Sequence, residues 1–495
     1  MNWMEKSLYR VVGRTVMAAQ RAGYIRSYDG AKIVARYGDF SRSNLSANAE
    51  LDVSLATLRN RARGLYRNDP HVRRWVRQVS TNVVGDVGFR LQCRAKNNND
   101  DRMDTIGNTE IESLWSEWSE ICTADGQMSF RAACSMVART WSRDGEVFCH
   151  IRRGSRYKHG FALFFLEADL VDETLNKTLT NGRRIRSGIE IDKDERPIAY
   201  HVLTEHPGET YSVGTTMRRY RRIPATEMIH LYLKDRPHQL RGEPPTVAVM
   251  TSAKMIGGYR EAEVTGRRLA ASKMGFFKRM LGQGSGDIAP LADTEMEDGE
   301  LEMDVHPGRM SMLPAGVEFE KFDMTAFSTD YEQFERQILR SLAAGLDIAY
   351  SNIAMDSSNS SYSADRSDQI KQRDVWRELQ RFMIEGFADR VMNEWMSQVF
   401  SMRFTKLPSY RVDKFLKASY FVPRGWSWVD PEKEIKSAVM AVQNGITSLS
   451  RIAAEQGRDV EEVFKEIKSD EDLAASMGIT LGSPQNIVAA TNENE

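Results

Sequence analysis

Small residues inside a long helical stretch constrain this chain more than any other feature. The stretch starts at Thr246, and alanine, glycine and serine recur along it among charges of both signs. Glycine costs about 1 kcal/mol per helical position relative to alanine, so a helix that keeps several glycines must gain from the close approach of another backbone. The residues to which we assign this close packing are Ala253, Gly257, Gly258, Ala262, Gly266 and Ala270.

A second helical stretch returns after an excursion of the chain. Thr329 followed by Glu332 matches a capping box, and apolar residues follow at helical spacing. The outgoing helix is predicted over roughly Thr246 to Leu281, which would span on the order of 50 Å at 1.5 Å per residue. Two helices that run out (246–274) and back (328–349) indicate a packed stem. A helical hairpin inside one large domain is the alternative.

The segments between and after these helices differ in composition. Residues 275–327 contain an acidic run, Glu295 to Asp304, and strand-like pieces, which together predict a small exposed α/β subdomain. The strand-like pieces are Arg309–Leu313 and Val317–Phe322. Residues 350–363 are dominated by serine and asparagine, a composition that favours a mobile loop. A helix with a core-facing apolar stripe is predicted from Ala364 to Phe400.

The rest of the sequence predicts an α+β fold that ends in helices. Residues 1–50 are polar and weakly periodic, which indicates an N-terminal arm, and residues 51–245 combine helices with short strands. The helical pattern from Leu51 to Val84 is broken by a stop and restart at Asn68-Asp69-Pro70. The candidate strands are Val147–Arg152, Phe161–Glu167, Gly188–Ile191, Ile198–Thr204 and Met228–Leu233. After the long helix and an irregular return over 364–428, we predict three helices within 429–482 and a disordered tail over 483–495.

Composition argues against several classes of protein. The chain has 68 Lys+Arg against 69 Asp+Glu, a net charge of −1, whereas a protein whose main task is to grip nucleic acid carries a basic surplus. The four cysteines, Cys93, Cys122, Cys134 and Cys149, form no CxxC pair, so we expect free buried thiols in a reducing compartment. No apolar run approaches the roughly 20 residues of a membrane-spanning helix, and Met1 to Arg26 lacks the apolar core of a signal peptide. We therefore expect a soluble cytoplasmic product with no membrane partner.

The most basic stretch lies within the first helices. Its arginines are Arg59, Arg61, Arg63, Arg67, Arg73, Arg74 and Arg77. Contact with DNA or with an acidic partner is one interpretation. We favour the other, a solvated helix face with carboxylate partners in the same chain, because the total charge is close to neutral.

Motifs that carry catalysis are absent from the sequence. It contains no G-x-S-x-G, no H-E-x-x-H and no G-x-x-x-x-G-K-[ST], so we predict no enzyme, no cofactor and no metal site. One acidic cluster could still form a metal site, because carboxylates at such spacing can hold a divalent metal. Its residues are Glu167, Asp169 and Asp172. Acids that cap turns at strand ends are commoner. A Mg²⁺-dependent nucleic-acid enzyme is thus the first rival function, and plasmid cleavage with and without Mg²⁺ tests it.

Four stretches, in this order, carry a resemblance to a known family. They are Leu58–Arg63 continued by Arg67–Pro70 and Asn82–Gly85; Gly188–Glu190 with Arg196–His201; Arg222–Ala225 with His230, Arg236-Pro237, Gln239 and Arg241-Gly242; and Tyr362-Ser363 with Arg366. Their order and spacing resemble those of the lambda-type portal proteins of tailed bacteriophages, over roughly Leu51 to Ala454. That family commonly shows an Asn-Tyr-Ser-Ser-Ala-Arg run in the fourth stretch. Here Ser361 replaces the asparagine and Asp365 precedes the arginine.

The resemblance implies a portal-like multidomain subunit of a ring, typically of twelve copies, at one vertex of the capsid. In that architecture 51–245 resembles the wing, 246–274 and 328–349 the stem, 275–327 the clip, 350–363 the tunnel loop, and 429–482 the crown. The implied partners are further copies of the chain, the terminase large subunit, the major capsid and scaffold proteins, and the head-completion and tail connector proteins. Double-stranded DNA would be packaged and ejected through the ring without sequence specificity. Assembly in the host bacterial cytoplasm and a final place in the virion are also implied.

The tunnel loop is the DNA-facing site on this interpretation. Its residues are Ser357, Ser358, Asn359, Ser360, Ser361, Tyr362 and Arg366. Serine and asparagine can exchange hydrogen bonds with a passing DNA backbone without reading its sequence. A near-neutral chain also avoids the salt-dependent affinity that each neutralised phosphate adds. A virion adaptor that never passes DNA is the second rival, and a ring whose channel is too narrow for duplex would support it.

Overall fold

The computed structural model shows the mixture of helices and sheets that the sequence predicts. It describes residues 44–97, 102–180, 182–209, 219–271, 275–279, 294–297, 300–303, 317–321, 331–356, 361–426 and 431–478. The predicted arm up to residue 43, the loop residues 357–360 and the tail after 478 therefore lie outside the described residues. Over the described residues, no helix combines the length and the apolar character needed to cross a membrane.

The first two helices confirm the predicted stop and restart. Helix α1 spans Ala47–Asn68 and helix α2 spans Pro70–Val83. Asp69 makes the turn, because its carboxylate accepts hydrogen bonds from the backbone N–H groups of His71 (2.9 Å) and Val72 (2.8 Å). Pro70 takes the first helical position, where a missing N–H leaves no hydrogen bond unmade.

The main hydrophobic core lies between helices and a three-stranded sheet. Helices α3 (Thr105–Ser119) and α4 (Phe130–Asp144) pack with α2 against the sheet. Strand β1 (Arg90–Cys93) precedes α3 and pairs with β14 (Ser419–Val422), far along the chain. The sheet itself contains β2 (Glu146–Arg153), β3 (Phe161–Leu166) and β9 (Met228–Tyr232), antiparallel in the order β3-β2-β9. The four cysteines are free and buried, as predicted.

A second sheet covers the other face of β2 and β9. Its five antiparallel strands follow the chain in order: β4 (Lys177–Thr178), β5 (Arg184–Arg186), β6 (Ile189–Ile191), β7 (Pro197–Leu203) and β8 (Tyr220–Pro224). A smaller core fills the space between the sheets, with Phe148 from β2 against Tyr200 and Ile223. Each predicted strand is confirmed, with ends that differ by a residue.

The outgoing stem helix is shorter than the sequence suggests. Helix α5 spans Met250–Ala271, about 33 Å at 1.5 Å per residue, so the prediction of a helix from Thr246 to Leu281 is wrong at both ends. Pro245–Val249 forms a 3₁₀ turn. Gly275–Arg279 is strand β10, which pairs with β13 (Val317–Lys321). The aromatic residues of this segment favour a strand over a helix.

The described part of the excursion is built of strands. Besides β10 and β13, β11 (Thr294–Glu297) pairs with β12 (Glu300–Met303) in a hairpin inside the acidic run. The strand-like piece predicted at Val317–Phe322 is therefore confirmed. The piece predicted at Arg309–Leu313 lies outside the described residues.

The second half returns to the main core through long helices. They are α6 (Tyr331–Gly345), α7 (Tyr350–Ala354), α8 (Tyr362–Met383) and α9 (Asp389–Ser401), with a π-helical turn at Ile384–Ala388. The helix predicted over Ala364–Phe400 is thus present but interrupted. At the interruption Gly386 lies against β9, since an added Cβ would come within 2.4 Å of Leu231 Cδ1.

Short helices complete the chain. Helix α10 (Val412–Ala418) leads into β14, and three further helices follow as predicted: α11 (Pro431–Gln443), α12 (Leu449–Glu455) and α13 (Val460–Ser476). Ser448 caps α12 by accepting a hydrogen bond from Arg451 N at 3.2 Å, and Asp459 caps α13 by accepting one from Glu461 N at 2.7 Å. Each cap satisfies a backbone N–H group in the first turn of its helix.

Candidate functional site

The two predicted stem helices lie side by side and run in opposite directions. Tyr259 of α5 stacks on Tyr331 at the start of α6, with ring centroids 5.7 Å apart. Nearby, Arg260 Nε donates to Glu335 Oε1 at 2.6 Å. At the other end Gly345 lies against Val249, where an added Cβ would come within 2.5 Å of the valine Cγ1. The predicted out-and-back pair is therefore present within one subunit.

The small residues of α5 differ in their burial. Ala253 is 2% exposed and packs in the subunit's own main core. Gly257 and Gly258 are exposed, and a Cβ added to either would meet no atom of the described chain within 4 Å. Ala262 is also exposed, Gly266 is half-buried, and the side chain of Ala270 lies outside the described residues. Nothing described within one subunit uses the two adjacent glycines.

The first part of the predicted tunnel loop is helical, since α7 occupies Tyr350–Ala354, so the prediction of a mobile loop from residue 350 is wrong at its start. Contacts with α2 and α8 fix this segment. Trp75 Nε1 donates to Leu346 O at 3.1 Å, and Arg74 Nε donates to Asn352 O. Buried Gln372 of α8 closes the same turn, since its Oε1 accepts from Ala349 N at 2.6 Å and its Nε2 donates to Asp347 O at 2.9 Å. The chain is thus held firmly up to α7.

The far side of the loop begins with a helix cap. The hydroxyl of Ser361 accepts a hydrogen bond from Ala364 N at 3.3 Å and starts α8. Arg366, one turn further along, lies 3.4 Å from Glu434 of α11. Ser357, Ser358, Asn359 and Ser360 lie outside the described residues, as does the side chain of Tyr362. The DNA-facing role assigned to this set stays a prediction.

The C-terminal helices expose apolar side chains. No described residue of α11 is buried, and Met440 on this helix is 62% exposed. Ile446, after the helix, is 79% exposed, and Phe464 and Leu473 of α13 are more than half exposed. Burial of such side chains is worth about 1.5–3 kcal/mol each, so these helices carry apolar faces that one subunit does not cover.

The acidic cluster does not form the metal site considered from the sequence. Asp172 accepts hydrogen bonds from Thr174 N at 2.9 Å and from the Tyr220 hydroxyl at 2.6 Å. Among the described residues, the ligand atoms that converge are those of Glu167, Asp169 and His206, within 4.8 Å of one another. The sequence predicted Asp172 as the third residue of the cluster, whereas the structure places His206 there. His206 is distant in sequence, so spacing alone could not identify it.

Two arginines compete for the carboxylate of Asp169. Arg59 Nε lies 3.3 Å away and Arg63 Nη2 donates at 2.7 Å. Burial alone would raise the pKa of Asp169, but the two guanidinium groups outweigh it and lower the pKa. Two of the seven arginines of the basic stretch, Arg59 and Arg63, thus have carboxylate partners in the same chain, as we favoured. Arg61, Arg67, Arg73 and Arg77 are exposed.

A buried ionic network joins α1 to the sheets. Glu146 of β2 is fully buried and accepts from Arg241 Nη2 at 2.6 Å and from Arg59 Nη1 at 3.2 Å. His230 Nε2 lies 3.2 Å from the same carboxylate, and Gly242 N donates to it at 3.2 Å. Burial would raise the pKa of Glu146, yet Arg241 and His230 hold it well below its usual value.

The network includes four residues from the sequence stretches that resemble the portal family. Arg59, His230, Arg241 and Gly242 come from separate parts of the sequence and converge on Glu146, which sequence reasoning missed. Gly242 must be glycine, since an added Cβ would come within 2.4 Å of Gly145 O. Arg241 also donates to Val171 O and Ser187 O, each at 2.9 Å. These residues therefore hold the first half of the fold together.

Comparison with known proteins identifies the family. A sequence-family model described as "Phage portal protein, lambda family" matches residues 35–380. The "Probable portal protein" of Halomonas phage phiHAP-1 is 32% identical over 431 residues, which cover 86% of this chain and 81% of that protein. The chain belongs to the lambda family of phage portal proteins.

Other matches are more distant. The "Portal protein" of Escherichia phage N15 is 23% identical over 455 residues, 85% of this chain and 84% of its own length. Portal protein B of Escherichia phage lambda is 22% identical over 441 residues, 82% of this chain and 81% of its own length. A solved chain described as "Neck of empty GTA particle computed with C6 symmetry" aligns with a TM-score of 0.43 and 12% identity, over 86% of this chain and 98% of that one. Membership of the portal family rests on the sequence matches.

Proposed function

We propose that copies of this portal protein close into a ring, of twelve subunits, at one capsid vertex, and that duplex DNA enters and leaves through its centre. Residues 51–245 form the wing, α5 and α6 the stem, 275–327 the clip, 350–363 the tunnel loop and 429–482 the crown. The role is structural, without catalysis. Terminase meets the clip during packaging, head-completion proteins replace it later, and the ring assembles with capsid and scaffold proteins in the bacterial cytoplasm.

The uncovered faces of α5 and of the crown carry this proposal. Gly257 and Gly258 lower the intrinsic stability of α5 by about 1 kcal/mol each, with no described contact inside the subunit that requires them. The crown leaves Met440, Ile446 and Phe464 exposed. Neighbouring copies placed around an axis would cover both faces at once, since each subunit offers one surface to the copy before it and another to the copy after it.

Light scattering and negative-stain microscopy of the purified full-length chain test the ring. We expect a particle of about twelve 56.3 kDa subunits, with a central hole wide enough for a double helix, across protein concentrations and salt. Packaging of DNA into capsids built with this portal tests the channel.

Two results would contradict the proposal in different ways. A monomer at all protein concentrations would exclude the ring. A closed ring whose channel is too narrow for duplex would keep the ring and exclude passage of DNA. Magnesium-dependent cleavage of plasmid that is lost in Glu167→Ala and Asp169→Ala variants would instead support a catalytic role.

A further inference from the structure

Arginines from both sheets meet at one end of the interface between them. Arg152 of β2 lies on the same face as Phe148, and Arg221 of β8 lies on the same face as Ile223, because side chains alternate along a strand. Phe148 and Ile223 both pack in the core between the sheets. Their arginine neighbours therefore turn toward the same space, at the end where β7 and β8 approach their connecting segment.

These arginines repel one another. Arg152 is half-buried, whereas Arg221 and Arg156, which follows β2, are exposed. Burial is the main cause that lowers the pKa of Arg152, and the nearby positive charges of Arg221 and Arg156 lower it further, while Glu227 offsets only part of this effect. A cluster of like charges of this kind is unfavourable until an anion compensates it.

No carboxylate of the described chain forms a salt bridge with Arg152, Arg156 or Arg221. The arginines next to them in sequence are different: Arg153 donates to Glu394 at 2.7 Å, and Arg222 donates to Glu190 at 2.7 Å. The segment that connects β7 to β8, residues 204–219, contains two acids, Glu205 and Glu209.

Aromatic side chains lie next to these arginines. The guanidinium carbon of Arg152 lies 5.0 Å from the ring centre of Phe164, which is 39% exposed, and that of Arg156 lies 4.6 Å from the ring centre of Tyr157. His150 is directly opposite Phe164 on the neighbouring strand. It is 2% exposed and its Nδ1 has no hydrogen-bond partner in the described chain, an uncommon state for a buried polar atom.

We propose that this arginine patch, formed by Arg152, Arg156, Arg221 and Phe164, binds an acidic segment of a partner protein. The planar guanidinium fork matches a carboxylate with two parallel hydrogen bonds, and exposed Phe164 takes an apolar side chain of the same segment. The inference goes beyond the ring and the DNA channel, and neither is needed for it.

A protein segment fits the patch better than duplex DNA does. DNA carries one charge per about 1.7 Å of its axis and needs an extended basic surface. This patch is small and has acids around it: Glu227 lies 3.6 Å from His150 and is 41% exposed, and Glu117 and Glu120 lie beside Lys158. Those acids would repel the phosphates that follow, whereas a short segment with a few carboxylates avoids them.

Fluorescence anisotropy with two labelled probes, an octaglutamate peptide and a 20-base-pair DNA duplex, tests the patch. The variant is Arg152→Gln/Arg221→Gln in the full chain. The matched control is Arg61→Gln/Arg184→Gln, which removes the same charge from two exposed arginines elsewhere. We expect the patch variant to bind the peptide at least about tenfold more weakly, because it loses one or more charge-assisted hydrogen bonds. We expect the control to bind the peptide like the wild type.

Several outcomes would overturn the proposal. The first is that the patch variant binds the peptide as tightly as the wild type does. The second is that the control variant loses as much affinity for the peptide as the patch variant. The third is that the duplex binds more tightly than the peptide and that the patch variant loses this binding. Light scattering on the same samples provides a further one, because loss of assembly in the patch variant would make this surface a contact between copies. If the double variant does not fold by circular dichroism, Arg221→Gln alone provides the test, since Arg221 is exposed.

Discussion

Glu146 is the residue on which the fold of the first half depends. Its carboxylate neutralises the fully buried guanidinium groups of Arg59 and Arg241, and through them it joins α1 to β2 and to the turn after β9. Taking an ion out of water costs several kcal/mol even after relaxation. The pairing offsets that cost only while every partner is present. Removal of the single acid would leave two buried positive charges without this partner.

We predict that Glu146→Gln destabilises the protein by about 3–5 kcal/mol, the range measured when one partner of a buried ion pair is removed. Glutamine keeps the shape and can accept a hydrogen bond, so the loss reports the missing charge. Urea unfolding at a fixed protein concentration measures it. The matched control is Glu332→Gln, an exposed acid that pairs with Arg336 and should cost less than about 1 kcal/mol. Equal unfolding midpoints for the two variants would contradict the prediction.

The sequence alone could indicate Arg59 and Arg241 but not their role. In α1 the arginines at 59, 61, 63 and 67 look alike in the sequence. The structure separates them, because Arg59 points into the protein and Arg61 out of it. That distinction depends on the position of β2, which is 87 residues away from Arg59. Periodicity fixes the face of a helix, but it does not identify the distant residue that the face meets.

At the scale of whole elements, the sequence predicted helix starts, which depend on neighbouring residues, better than strand pairings, which depend on distant ones. Asp69, Ser448 and Asp459 act on the residues that follow them, and each caps the helix that the sequence indicated. The pairing of β1 with β14, and the strand β10 that replaces the end of the predicted stem helix, each need a distant partner. The loop residues 357–360, for which we predict contact with DNA, lie outside the described residues, so that role stays a prediction.

For the stem we predict that Gly258→Leu prevents ring assembly and leaves the subunit folded. A Cβ added at this glycine meets no described atom within 4 Å inside the subunit, and leucine is a better helix former than glycine. We expect the leucine side chain to clash with a neighbouring copy. Light scattering measures assembly, and circular dichroism measures folding.

Gly64→Leu in α1 is the matched control for the stem variant. Its Cβ also meets no described atom within 4 Å, and α1 is outside the proposed stem contact. We expect a normal ring for this control. Rings of unchanged mass in the Gly258→Leu variant would show that the glycine face of α5 is not a contact between subunits.

For the loop we predict that deletion of residues 357–360 leaves ring assembly intact and impairs DNA packaging or retention. Ser361 must be kept, because its hydroxyl caps α8 and loss of a cap costs about 1 kcal/mol. A single Ser358→Ala substitution, which keeps the length of the loop, is the control. Packaging assays on assembled particles give the result, and normal packaging by the deletion variant would show that the loop is passive.

At the scale of the molecule, histidines link stability to pH. His150, His159, His201 and His230 are all buried or half-buried, and burial is the main cause that lowers the pKa of each. In the unfolded chain a histidine has a pKa of about 6.5. As the pH falls through that value, the unfolded chain therefore takes up protons that the folded protein does not, and folding loses free energy.

We predict that the free energy of unfolding falls between pH 7.5 and pH 5.5, with each of these histidines contributing up to about 1.4 kcal/mol per pH unit. Urea unfolding at fixed protein concentration and salt measures the slope. His159→Asn should reduce the slope, because asparagine does not titrate and tolerates the positive φ of 52° at this position. Because the four groups act together, a free energy that stays constant over this range would show that the folded protein binds these protons as readily as the unfolded chain does.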